Sequence, residues 1–134
     1  MIVADTNLIA YLVLPGERTG AAEAVLRADS AWAAPTLWRS ELRNVLATYV
    51  RARTLALDHA LVMAERAEAL MAGREFSVPT EAVLALAFTS GCAAYDCEFV
   101  VLARELGVRL VTADARLLAA FPDTAVAPEG FARG

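Results

Sequence analysis

Four carboxylates, Asp5, Glu41, Asp96 and Asp114, occupy positions from which they can act together. Asp5 follows the apolar run Ile2-Val3-Ala4 and Asp114 follows the β-branched run Val108 to Thr112, so each stands just past the end of an expected strand. Asp96 opens a helical pattern, and Glu41 lies inside another. Carboxylates gathered in one pocket raise one another's pKa unless a cation joins them. Oxygen ligands without histidine suit a hard ion, Mg²⁺ or Mn²⁺. Such an ion, with positions left for a phosphate and a water, is the equipment for phosphodiester hydrolysis. Each acid also has an ordinary explanation: Asp5, Thr6 and Asn7 can cap a helix through backbone amides, and Asp114 is most simply an N-cap.

The stretch Tyr95 to Leu118 shows how the chain would position them. A helical pattern runs to Gly107, whose residue type suits a left-handed cap, and a short strand then leads into Asp114. The N-terminus repeats the ending, with a strand over residues 1–4 delivering Asp5. A short helix is expected from Leu8 to Leu14, stopped by Pro15-Gly16, then a helix from Thr19 to Ala28 and a strand from Ala31 to Ala34 closed by Pro35. From Pro35 or Thr36 the pattern is helical for more than four turns, with Leu37, Trp38, Leu42, Val45, Leu46 and Tyr49 on one broad apolar face. Glu41 and Asn44 lie three apart on one side of it, with Arg39 and Arg43 as candidate partners for the carboxylate. A helix from Asp58 to Ala72 pairs with it as an antiparallel hairpin, an arm or clamp. Phe76 to Val78 reads as a third strand. A helix follows, opened by Pro79-Thr80-Glu81 and closed by Thr89-Ser90-Gly91, and Thr124 to Ala127 reads as an edge strand before a Pro/Gly tail. Strands alternating with helices argue for a single α/β domain around a parallel sheet, whose ligands belong at the carboxyl ends of the strands.

The chain has 134 residues, 58% of them hydrophobic, and a net charge of −4. No apolar run reaches the roughly 18 residues that suggest a membrane span, and the N-terminus lacks the basic start of a signal peptide. A cytoplasmic protein is the expectation. Cys92 and Cys97 read as small hydrophobes and His59 as a surface residue, because neither belongs to a ligand cluster. All twelve basic residues are arginine. The absence of lysine counts against a receiver-type phosphoacceptor domain, which pairs a similar acidic site with a lysine. With a pI near 5.0, any affinity for a nucleic-acid backbone must be local. Arg39, Arg43, Arg51 and Arg53 form the best local group, with a solvated helix face as the alternative. Trp32 and Trp38 are either base-stacking or core residues.

Taken together, IVADTNLIAYL at the start, Ser40-Glu41-Leu42 with Asn44, AYDCEFVVLARELG and LVTADARLL carry a resemblance over nearly the whole chain. It resembles the PIN-domain ribonucleases, and in size and pattern the VapC-type toxins of bacterial toxin–antitoxin pairs. The resemblance implies a five-stranded parallel sheet ordered 3-2-1-4-5, flanked by helices, with a helical clamp. It implies an acidic Mg²⁺ or Mn²⁺ site of Asp5, Glu41, Asp96 and Asp114, with Asp5, Asp96 and Asp114 on the metal and Thr6, Asn7, Asn44 and Thr112 as supporting polar groups. It further implies endonucleolytic cleavage of RNA, a second copy of the chain as partner, and a VapB-like antitoxin whose tail blocks the site. Some relatives carry another acid two positions after the last aspartate, where this chain has Arg116. Glu98 is a candidate substitute, although two residues along a helix turn it about 200° from Asp96. The rival readings are a non-catalytic scaffold of the same fold and a maintenance RNA-processing nuclease.

Overall fold

The computed structural model describes all 134 residues. Its centre is β1 (Ile2–Ala4), three wholly buried residues at the middle of the sheet. On one side lie β2 (Trp32–Pro35) and β3 (Glu75–Phe76), and on the other β4 (Leu110–Val111) and β5 (Ala125–Val126). All pairings are parallel and the order is β3-β2-β1-β4-β5. Such a sheet is covered on both faces, which is why β1, β2 and β4 are apolar throughout rather than alternating. The register sets Val3 opposite both Ala33 and Leu110. Beyond it, the Asp5 amide donates to the Val111 carbonyl at 3.1 Å. Asp5 and Thr112 therefore emerge side by side where the strand order reverses, at the end of the sheet that takes ligands.

Eight helices surround the sheet: α1 (Thr6–Val13), α2 (Thr19–Ala28), α3 (Trp38–Arg51), α4 (Leu57–Met71), α5 (Thr80–Ser90), α6 (Ala94–Leu106), α7 (Ala115–Ala120) and α8 (Pro128–Arg133). Gly107 closes α6 with φ of 68°, the left-handed cap its residue type implied. Trp32, Trp38 and Phe99 are among the largest fully buried side chains. Each indole N–H is satisfied internally, Trp32 on the Asp29 carbonyl and Trp38 on Glu75, each at 2.8 Å. The tryptophans are therefore core residues and cannot stack on bases. Both cysteines are free and buried, and His59 is exposed.

Several boundaries differ from expectation. α1 begins at Thr6, two residues early, because Asp5 caps it directly off the strand. Pro35 ends β2 instead of opening α3, and the amides of Ala34 and Thr36 on either side of it donate to the Arg74 and Phe76 carbonyls. β3 is shifted back to Glu75–Phe76, and β4 shrinks to two residues. The tail after Ala127 is a helix with Pro128 in its first turn. It packs against α2, with Arg18 bridging to Glu129 at 3.2 Å. The α3–α4 hairpin is no free arm, since α1 packs against both of its helices. No single helix is long and apolar enough to cross a membrane.

Candidate active site

Asp5 is 93% buried by surface, with 7% exposure, and its two oxygens have different jobs. Oδ1 accepts the Thr6 amide at 2.8 Å, the N-cap of α1. Oδ2 accepts the Thr112 hydroxyl at 2.6 Å and the Asn7 side-chain amide at 3.4 Å. Thr112 in turn accepts the Asp114 amide at 3.0 Å, and the Asn7 carbonyl oxygen accepts the Ala113 amide at 3.2 Å. The DTN and TAD motifs are thus one hydrogen-bonded junction joining β1 to β4. Thr6 carries it further by donating its hydroxyl to Glu41 Oε1 at 2.7 Å, which fixes α3 over the strand ends. Asp114 caps α7 through the Arg116 amide at 2.8 Å. Asp96, in the first turn of α6, accepts no hydrogen bond from the protein.

These four acids line one open hollow of about 470 Å³ with Thr6, Asn7, Ser40, Asn44 and Val45. Each expected site acid is there, and Thr112 lies directly behind Asp5. Burial pushes Asp5 up from its ordinary value of 3.8 to about 6, against the pull of the Thr112 and Thr6 hydrogen bonds and with Glu41 and Asp96 adding repulsion. Glu41 is raised chiefly by burial, opposed by Thr6 and reinforced by Asp96 and Glu98. Asp96 is raised by burial and by Asp114, while Arg116 pulls it down. The hollow therefore resists full ionisation of its own acids, the condition a cation relieves.

The basic residues behave otherwise than expected. Neither Arg39 nor Arg43 balances Glu41. Arg39 donates twice to Glu75, at 2.6 and 2.9 Å, and also reaches Glu68 at 3.2 Å. Arg43 and Arg51 flank an apolar groove between α3 and α4, and Arg53 lies two residues past the end of α3 in the left-handed region with φ of 62°. None of the four arginines lines the acidic hollow. Glu98 does not line it either, although its charge adds to the repulsion that raises Glu41 on α3. Ser40 was not singled out from the sequence as a site residue. Its signal was available, because Ser40 and Asn44 are four apart and share a helix face.

Residues 2–123 match the family described as PIN domain. The chain belongs to that family. It is 32% identical over 125 residues to Ribonuclease VapC3 of Pyrobaculum aerophilum, covering 90% of this chain and 95% of that protein. Among solved structures, this PIN domain resembles PAE2754 from Pyrobaculum aerophilum, with a TM-score of 0.79 at 20% identity over 98% of this chain and 86% of that one. It also resembles FitAB bound to an IR36 DNA fragment, with a TM-score of 0.72 at 24% identity over 96% of each chain. FitAcB from Neisseria gonorrhoeae gives 0.70 at 25% identity, over 96% of this chain and 98% of that one.

The oxygen donors of the PIN-domain hollow fit a hard divalent ion in kind. No three of them stand close enough to close around one ion. That spacing suits Mg²⁺, which keeps several waters and takes only one or two carboxylates directly.

Proposed function

We propose that this protein is a divalent-metal-dependent endoribonuclease of the cytoplasm, acting as the toxin of a type II toxin–antitoxin pair. The observation that carries the reading is the convergence of Asp5, Glu41, Asp96 and Asp114 on one hollow at the sheet's switch point. The relationship to Ribonuclease VapC3 supports RNA as the substrate. Asp5, Asp96 and Asp114 would hold Mg²⁺ or Mn²⁺, one or two of them directly and the rest through its waters. When bound, that ion offsets charge on the scissile phosphate and lowers the pKa of a coordinated water. Thr6, Asn7 and Thr112 fix the Asp5 carboxylate, so it needs no reorganisation to receive a cation. Glu41, held by Thr6 and raised above the usual glutamate range, is placed to take a proton from the attacking water.

Two surfaces support the partners. A groove of about 740 Å³ opens beside the hollow, sharing Asn7 and Val45 with it and lined by Tyr11, Leu14, Tyr49 and Met63. A VapB-like antitoxin segment lying there would end over the acids. On α5, Leu84 and Phe88 are 59% and 89% exposed, and Tyr95 at the start of α6 is 57% exposed. This apolar face suits a second copy of the chain.

The test is induced expression of wild type and Asp96→Asn in a bacterial host, with growth followed and RNA 5′ ends mapped. Growth arrest and new ends with wild type alone are expected, and the ends name the RNA. Arrest by both without new ends would overturn the reading. The rival is a PIN fold that only binds, its acids structural. Mn²⁺ titration separates them: heat that vanishes in Asp96→Asn supports the nuclease, and no heat at millimolar metal supports the scaffold.

A further inference from the structure

Seven of the twelve arginines, Arg27, Arg43, Arg51, Arg53, Arg66, Arg116 and Arg133, make no ion pair or side-chain hydrogen bond within the protein. None of the seven lines the acidic hollow, but Arg116 follows one of its acids, Asp114, by two residues. It lies in the first turn of α7, its own amide bonded to Asp114 Oδ1 at 2.8 Å. It is also the one cation whose field registers on Asp5, Glu41 or Asp96.

Two features of this placement need a reason. A guanidinium in the first turn of a helix opposes the helix dipole, which favours anions there. And although Asp96 and Asp114 are neighbours, neither forms an ion pair with Arg116 within 4.0 Å, so the side chain stays exposed and free. A structural role would have used the fork on a carboxylate, as Arg39 does on Glu75. The anion that would bring a planar five-donor fork to this rim is a phosphodiester, whose two free oxygens match it. The other sides of the hollow offer only carboxylates, hydroxyls, the amides of Asn7 and Asn44, and Val45.

We propose that Arg116 is a substrate-binding residue that grips a phosphate of the RNA at the Asp96–Asp114 rim of the hollow. This rests on the ribonuclease reading and adds to it a phosphate anchor of the protein's own. The anchor holds RNA without a divalent ion, whereas cleavage requires one.

The experiment measures binding of a fluorescent single-stranded RNA by anisotropy in EDTA, across a salt series, for wild type, Arg116→Gln, Arg116→Lys and the distal control Arg27→Gln. Loss of one charged hydrogen-bonding contact should weaken binding roughly tenfold to a hundredfold in Arg116→Gln. The log–log salt slope should flatten by about 0.7, one phosphate contact on a single strand. Arg116→Lys should recover the slope but only part of the affinity, and Arg27→Gln should match wild type. In Mn²⁺, Arg116→Gln should raise KM by a similar factor. Unchanged binding and salt slope in Arg116→Gln, with only a shifted pH–rate profile, would overturn the proposal and leave Arg116 acting on Asp96 alone. Wild type that cuts RNA while Arg116→Gln loses no affinity defeats only this inference. Wild type that neither binds nor cuts RNA defeats the ribonuclease reading itself.

Discussion

The buried Asp5 carboxylate should make the metal-free protein less stable as pH rises from about 4 toward neutrality. Its pKa climbs from 3.8 to about 6 on folding, so the folded state holds the proton more tightly than the unfolded chain. The contribution of Asp5 is fully present below 3.8 and is lost as pH rises through about 6. At most about 3 kcal/mol is involved, two pKa units at 1.36 kcal/mol each. Somewhat less than half of it falls between pH 5 and pH 8, where linkage gives a loss of about 1.4 kcal/mol. For a domain of this size that is roughly 4–6 °C of melting temperature. Glu41 and Asp96 are shifted in the same direction, so the assay compares slopes. Wild type and Asp5→Asn are unfolded in urea in EDTA at each pH. The variant gives up a hydrogen bond to Thr112 but has no proton to release, so its stability should fall less between pH 5 and pH 8. Saturating Mn²⁺ should flatten the wild-type slope, because the ion binds the carboxylate form. Equal slopes in the two proteins, or a wild type that gains stability over this range relative to the variant, would refute the account of Asp5.

Thr112→Val keeps the shape of a fully buried side chain but removes the hydroxyl between Asp5 and the Asp114 amide. It should cost about 1–3 kcal/mol in urea unfolding, and activity should fall most at low pH, where Asp5 is protonated more readily. Arg39→Ala should lower the melting temperature, because it breaks the contacts to Glu75 and Glu68. It should leave the salt dependence of RNA binding unchanged, since Arg39 is turned to those carboxylates; a flattened slope would restore it as an RNA contact. Phe88→Arg should convert a dimer to a monomer in sedimentation velocity without changing the melting of the monomer. A wild type that is monomeric at tens of micromolar would remove the α5 face as a dimer surface.

The sheet was legible because its signals are local. Short apolar runs ending in small polar residues gave the central strands, and Gly107 gave the helix stop before β4. The boundaries that moved were set by partners distant in sequence. Glu75 belongs to β3 because Ala34 lies opposite it, and α8 exists because α2 offers it a surface. The Arg39–Glu41 pairing failed for the same reason: the sequence placed Arg39 near Glu41, but only the fold reveals that β3 and α4 supply nearer carboxylates. Glu98 inverts the case. It does not line the hollow with Asp96, yet its charge adds to the repulsion that raises Glu41 on α3.

The ordinary explanations of the acids turn out to be true without being sufficient. Asp5 does cap α1 and Asp114 does cap α7. A cap uses one oxygen, and the difference lies in what happens to the rest. Oδ2 of Asp5 is drawn into the sheet by Thr112 and Asn7. Oδ2 of Asp114, Oε2 of Glu41 and both oxygens of Asp96 accept nothing from the protein and border the same hollow. A chain using these residues only as caps would have no reason to gather the spare oxygens, since each raises the cost of ionising its neighbours. Four unclaimed oxygens from three elements, in a space with no histidine or cysteine, are hard donors of the kind a hydrated divalent ion takes. If the acids were structural, neutralising Asp96, which supports no hydrogen bond, would cost nothing in function. If they hold a metal, Asp96→Asn should abolish RNA cleavage while leaving the fold at least as stable as wild type in EDTA. That combination is what a structural carboxylate cannot produce.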